Sequence, residues 1–383
     1  MIGVCRRAGQ DGSAIISWRS ERGPKQFQRL SRRRRSLSMK PVTIVGGGIA
    51  GLACGIALRQ REIPAVLWEA GDYPRHRVCG EFLSGHGLQT LRRLGLLERC
   101  VAAGAQTVGT VRFFSGRSQT SSVPLPGPAM ALARVQFDDL LAGIFQELGG
   151  DLRASERFRG CIDQEGIVAA TGRQVQRRSN GWRWVGLKAH ATGVELTDDL
   201  ELHFLKDGYV GLCRLSEGRV NVCGLFRSRG PMAGAGACWD VHLRGPAGSA
   251  LNGRLKGAQL APGSFASVSG LFFEPFYGNP CRSVNVGDAM SVIAPLAGNG
   301  MSLALESGEV AVSGLTQYCR GELDWSEMAE ELRSRYCLAF RRRLRSSLYL
   351  QRLLLNPLIH PFFRLALIRN KQIFQLLFRL TRT

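Results

Sequence analysis

Gly46, Gly48 and Gly51 stand at the spacing Gly-x-Gly-x-x-Gly, with the small Ala50 between the last two, and Glu69 follows after another short apolar run. Each part suits the handling of a dinucleotide. Gly46 allows a sharp turn, Gly48 lets the backbone approach a pyrophosphate, and Gly51 lets a helix pack closely on a strand. The start of that helix offers unpaired N–H groups and partial positive charge to phosphates. A carboxylate about 20 residues on can accept from ribose hydroxyls, which disfavours a 2′-phosphate there. The turn alone does not separate FAD from NAD.

A second reactive stretch, "YPRHRVCGEFLS", places Cys79 just after Arg75, His76 and Arg77 and just before Gly80 and Glu81. Cationic neighbours can lower a thiol pKa and make a nucleophile. The same residues also suit a segment that keeps its backbone near a bound group, with Cys79 as proton donor or substrate contact and Glu81 fixing the segment. The eleven cysteines are scattered, with no Cys-x-x-Cys or Cys-x-His spacing, so no metal site is expected and reduced thiols are the simplest account. His190 and His203 fall in strand-like segments and read as sheet residues rather than acids or bases.

A third stretch, "VGDAMSVIAPLAGNGMSLALESGEVA" (286–311), reads as a strand ending at Gly287-Asp288, then a loop with Pro295, Gly298, Asn299 and Gly300, then a helix. It resembles the second flavin motif of the FAD-binding group that includes aromatic hydroxylases and geranylgeranyl reductases. That resemblance implies that Asp288 contacts the ribityl–pyrophosphate region and that the helix start around Met301 faces the flavin pyrimidine edge. A helix N-terminus there would stabilise the negative charge of reduced flavin. Arg134, in "ALARVQFDDLL", matches an arginine that contacts the cofactor in this group, although alone it reads equally well as a surface residue before a helix. With "PRHRVCGEFLS" the likeness narrows to the geranylgeranyl-reductase-related FAD oxidoreductases, from about Met39 to Arg345. By that resemblance Arg75 and Cys79–Glu81 line the flavin or substrate cavity. The family's aromatic substrate motif is only partly present: Tyr209 stands in "GYVGLCRL", but its Trp and Phe-Pro companions are missing. The paired tryptophans of flavin halogenases are not evident either.

The elements that must position these residues can be read from periodicity. Val42–Val45 is a short apolar run suited to a buried parallel strand, Ile49 to Arg59 a helix, and Ala65–Trp68 the next strand. Helical stretches are expected over 87–100, within 131–154 and over 300–315. A hairpin is expected over 108–125, and an antiparallel meander over 182–226. Residues 229–266 read as a loop with a helix. The fold class is therefore α/β. A Rossmann-like FAD-binding domain (39–107, 127–173 and 280–332) carries an inserted antiparallel β-sheet substrate domain (108–126 and 174–279), followed by a C-terminal helical tail (333–383).

The 383-residue chain has a net charge of +21, gathered at its two ends: 1–38 carries +8, 333–383 carries +12 with no acid, and the centre is near neutral. A nucleic-acid protein would more often place its basic patch on the folded domain, so no nucleic-acid partner is expected. Residues 1–38 read as disordered, either as a segment ahead of a true start at Met39 or as an organellar targeting segment. The tail 336–383 is apolar and cationic together. Pro357 and Pro361 divide it, and Arg364, Lys371, Gln375, Arg379 and Arg382 recur at helical spacing. This suits a helix lying on an anionic membrane surface, or one packed on the body with its arginines in water. A cytoplasmic location fits the thiols, with a peripheral place on the inner membrane face left open.

The expected function is FAD-dependent reduction of a carbon–carbon double bond in a hydrophobic, isoprenoid or lipid-like molecule. The alternatives are hydroxylation of an aromatic or polyketide substrate on the same fold, and a flavoprotein without turnover. NADPH, NADH and a reduced carrier protein all stay open as the reductant, because no second nucleotide motif is visible.

Overall fold

A computed structural model describes residues 39–173, 183–229, 239–271, 273, 283–356 and 370–382. The apolar run Val42–Val45 forms the middle of a five-stranded parallel sheet. On one side lie Ala65–Trp68 and then Asp151–Arg153; on the other lie Ile167–Ala169 and then Val284–Asn285. Every strand of this sheet is buried or nearly so except Asp151–Arg153 at one edge, which is why its sequences are continuous apolar runs.

Helix α1 (Ile49–Arg59) follows the first strand, and ten of its eleven residues are buried. It packs in one core with the later helices. The expected helix over 87–100 is two, α2 (His86–Arg93) and α3 (Leu97–Ala102), because the chain takes a left-handed turn at Gly95 between them. Helix α4 (Arg134–Glu147) follows a three-stranded antiparallel sheet made of Phe82–Ser84, Ala129–Ala131 and Gln106–Thr107.

The large sheet has nine strands among the described residues. Leu200–Leu205, Gly208–Arg214 and Val220–Ser228 run as a meander. The expectation that Arg183–Thr192 begins that meander is corrected: it pairs with Val220–Ser228 on the far side. Thr110–Ser115 from the earlier hairpin lies parallel to Leu200–Leu205, so the sheet is mixed rather than wholly antiparallel. Alternation divides Arg183–Thr192 cleanly. Val185, Leu187, Ala189 and Ala191 enter one apolar core, while Trp184 packs into another on the opposite side. Residues 229–266 hold more than a loop: a π-helical turn at Trp239–Leu243, helix α5 (Ala250–Arg254) and the strand Gln259–Leu260.

Helix α6 (Gly300–Cys319) packs on α1, and α7 (Trp325–Leu355) packs on α6. Helix α7 runs unbroken through the 332/333 boundary drawn from composition, because its buried face continues from Trp325 to Leu355. A bidentate buried pair, Arg343 to Glu306 at 2.8 and 2.6 Å, ties it to α6. Helix α8 (Lys371–Leu380) packs Phe374, Leu377 and Phe378 into the cores beside the large sheet. Arg364, Pro357 and Pro361 lie outside the described residues. Among those described, no helix is long and apolar enough to cross a membrane.

Candidate functional site

The turn after Val42–Val45 opens into a cavity of about 970 Å³ between the parallel sheet, the large sheet and the C-terminal helices. Gly46, Gly48 and Ala50 line it. Gly46 has φ +112°, and a Cβ there would meet the Ala170 carbonyl oxygen at 2.2 Å. A Cβ on Gly51 would meet the Gly46 carbonyl oxygen at 2.0 Å, so Gly51 shapes the turn from behind and does not face the cavity. At Gly48, the N-cap of α1, a Cβ would meet nothing within 4 Å, and no side chain caps the helix. The first N–H groups of α1 are thus left for a ligand in that space.

Glu69 also lines the cavity, and its carboxylate is already engaged. It accepts from Gly47 N and Gly71 N at 2.8 Å each and lies 2.7 Å from Arg75 Nη2 as an ion pair. Arg75 stands behind Glu69 rather than in the cavity wall, which corrects its expected place at the flavin or substrate. The ion pair with Glu69 draws its guanidinium away. The neighbouring Arg77 does line the cavity; it reaches Glu69 at 3.4 Å and Asp138 at 3.5 Å, and its buried Nε lacks an aligned acceptor.

Arg134 begins α4 and faces the cavity. Its guanidinium grips Asp138 one turn on, at 2.8 and 2.7 Å. Burial disfavours that charge, but Asp138 outweighs it and the arginine is held more firmly protonated. Asp288, Pro295, Gly298, Gly300 and Met301 also line the cavity. Burial raises the Asp288 pKa against the pull of Arg173 and Arg134. Open helix start, glycine cradle and an unaligned guanidinium nitrogen together fit a bound diphosphate, and the walls beyond fit the rest of FAD.

Cys79 and Glu81 separate. Cys79 lines the cavity, its Sγ accepts from Glu81 N at 3.4 Å, and burial pushes the thiol pKa up despite Arg134. It is a protonated thiol, not the activated nucleophile that three cationic neighbours suggest. Arg75 and Arg77 spend their charge on Glu69, and His76 is neutral, its pKa lowered to about 4 by burial and by Lys188. Glu81, a candidate catalytic residue beside Cys79 on its sequence position, is fully buried and does not line the cavity, which corrects the expectation that it does. One oxygen accepts from Arg134 N at 2.9 Å and lies 3.2 Å from Lys188 Nζ; the other lies 2.7 Å from His190 Nε2. Burial raises its pKa, but His190 and Lys188 outweigh that and keep it ionised. Lys188 Nζ also lies 2.9 Å from His76 Nδ1, and His76 faces the cavity.

Tyr209 lines the far, apolar arm, and burial holds its phenol proton. That arm runs along Phe113, Leu202, Phe204, Leu271 and Phe273 of the large sheet side and Leu350, Leu354, Phe374 and Leu377 of the C-terminal helices. Trp184 packs edge-on to Phe273 at 5.9 Å. His203 pairs with Glu201 at 3.2 Å and takes no part in the cavity. Sequence reasoning does not single out Lys188, takes His190 for an ordinary sheet residue and puts Arg382 on an outward-facing cationic stripe. The one available signal was Lys188 and His190 at alternate positions of an otherwise apolar strand.

Residues 39–181 match the FAD binding domain family. The chain is an FAD-dependent oxidoreductase. It is 34% identical to a 1H-pyrrole-2-carbonyl-[peptidyl-carrier protein] brominase of Pseudoalteromonas luteoviolacea, over 26% of this chain and 25% of the brominase. A menaquinone reductase of Mycolicibacterium smegmatis is 24% identical over 76% of this chain and 80% of its own length. Among solved structures, a geranylgeranyl bacteriochlorophyll reductase-like protein of Thermoplasma acidophilum shares the fold. Its TM-score is 0.66 at 18% identity, covering 87% of this chain and 92% of that one.

Proposed function

We propose that this oxidoreductase reduces a carbon–carbon double bond in a hydrophobic, isoprenoid or lipid-like substrate. The observation that carries the reading is the continuity of one cavity, from the glycine turn through Cys79 to an arm walled by aromatic and aliphatic side chains. Likeness to a menaquinone reductase over most of both chains supports reduction over oxygen insertion. In this reading Gly46, Gly48 and Ala50 hold the pyrophosphate with α1, while Glu69 and Arg77 flank the adenosine side. Arg134 and Asp288 bracket the ribityl chain, and Pro295 to Met301 border the flavin ring. FAD, once reduced, supplies hydride from N5. Cys79 holds a proton at Sγ on the cavity wall; hydride given to one carbon of the double bond leaves the electron pair on its neighbour, and the thiol would protonate that neighbour. Tyr209 and the apolar arm orient the substrate and exclude water. Oxygen insertion on the same fold is the second reading, favoured by 38% identity over 18% of this chain to a putative FAD-dependent monooxygenase of Bacillus subtilis.

Anaerobic reduction of the FAD-loaded protein with NADH, NADPH or dithionite, followed by menaquinone and mass analysis, tests this. The expected product keeps two added hydrogens after reoxidation in air, which a quinol would lose. A gain of one oxygen under aerobic turnover would overturn the reading in favour of hydroxylation. Folded protein that does not bind FAD would overturn both.

A further inference from the structure

Arg382 lies far from Ser84 in the chain, yet its Nε donates to Ser84 Oγ at 2.8 Å. Its Nη2 donates to the Ala297 carbonyl at 3.1 Å, and its Nη1 to Thr381 Oγ1 at 3.1 Å. The guanidinium lies 3.3 Å from the centre of the Phe378 ring. All these partners are neutral, and among the described residues Arg382 forms no ion pair with a carboxylate. The nearby Arg343 gives its charge to Glu306. Burial and that like charge push the Arg382 pKa down to about 9. A cation kept in such a place without a counter-charge is costly, so the position is suited to an anion supplied from outside the chain.

The cavity shows where that anion would sit. Arg382, Thr381 and Gly298 all line it, and Gly300 starts α6 beside them. Asn299, the N-cap, turns its side chain to the Thr381 carbonyl and not to the helix N–H groups. A guanidinium without a counter-charge and an uncapped helix start therefore share one end of the cavity, beside Phe82. We propose that Arg382 holds the pyrimidine edge of bound flavin and favours its reduced form; this rests on the placement of FAD given above. Uptake of two electrons and one proton, the proton at N5, leaves FAD with one added negative charge over N1 and the C2 oxygen. A fixed cation at that edge binds the reduced form more tightly than the oxidised form.

The test is the two-electron reduction potential of the FAD-loaded protein, measured against a reference dye with dithionite as reductant. FAD affinity is read separately by fluorescence quenching. Arg382→Met is expected to weaken reduced relative to oxidised FAD about tenfold, a potential lower by about 30 mV. Arg382→Gln keeps a donor for Ser84 and Ala297 without the charge and should fall as far. Arg382→Lys should recover most of the difference. A potential unchanged in both neutral variants, with FAD bound, overturns the assignment and leaves the FAD reading standing. Failure of the unaltered protein to bind FAD sinks that earlier reading instead.

Discussion

Glu81 carries a backbone φ of +54°, a conformation that costs a non-glycine residue about 1–2 kcal/mol. The turn aims its carboxylate into the core, where Lys188, His190 and Arg134 N meet it, and it leaves Cys79 facing the cavity. Removing one member of such a set strands a buried charge. Lys188→Met should therefore lower stability by about 3–5 kcal/mol in denaturant unfolding, and Lys188→Met with Glu81→Gln should recover part of that loss; equal loss in both would mean that packing alone is at stake. Burial, helped by the same lysine, keeps His76 neutral. With its folded pKa near 4 and below the ordinary 6.5, His76 weakens the fold only at acid pH. Above 6.5 neither state carries the proton, and between 6.5 and 4 the unfolded chain takes it up first, so stability falls as pH drops through that window. In Lys188→Met the His76 titration followed by NMR should move up toward 6.5. An unmoved titration would mean that Lys188 adds nothing to the effect of burial. The glycine turn was legible in local spacing, while the cavity positions of Asp288 and Cys79 were implied by the family resemblance. Lys188 and His190 were not legible, since the carboxylate that explains them is more than 100 residues away.

At the scale of elements, α8 shows what periodicity can and cannot convey. Its mixture of apolar and cationic residues was visible in the sequence, but nothing local says what its apolar face, Phe374, Leu377 and Phe378, covers. In the structure it roofs the apolar arm of the cavity. Arg382 shares a helical stripe with Arg379 only if the helix continues. The helix ends at Leu380, and the chain turns Arg382 inward to Ser84. The large sheet has the same character: its strands were recognisable, while the pairing of Arg183–Thr192 with Val220–Ser228 depends on a long-range choice. If α8 is the roof, Phe378→Ala should cost about 3–5 kcal/mol and increase binding of a hydrophobic fluorescent dye, with little effect on the oxidised FAD spectrum. A fall in stability without added dye binding would show that the arm is closed by other residues.

For the molecule as a whole, the cavity touches both sheets and the C-terminal helices, so its occupant should couple them. FAD that binds only the folded state adds about 2.7 kcal/mol at a hundredfold excess over its dissociation constant. The thermal midpoint should accordingly rise with each tenfold increase in FAD. Two glycines in the same turn separate this linkage from the fold itself. Gly46→Ala drives a Cβ into the Ala170 carbonyl and strains a left-handed residue, so it should lower the midpoint with or without FAD. Gly48 has φ −83° and open space where a side chain would go. Gly48→Val should lower the cofactor-free midpoint far less than Gly46→Ala does, since a Cβ there meets nothing within 4 Å, and should abolish the rise with FAD. Thermal unfolding of the three proteins across an FAD series reads both effects. A full FAD response in Gly48→Val would mean that the pyrophosphate does not lie in the cradle above α1, and the remaining walls would have to be reassigned around a different ligand pose.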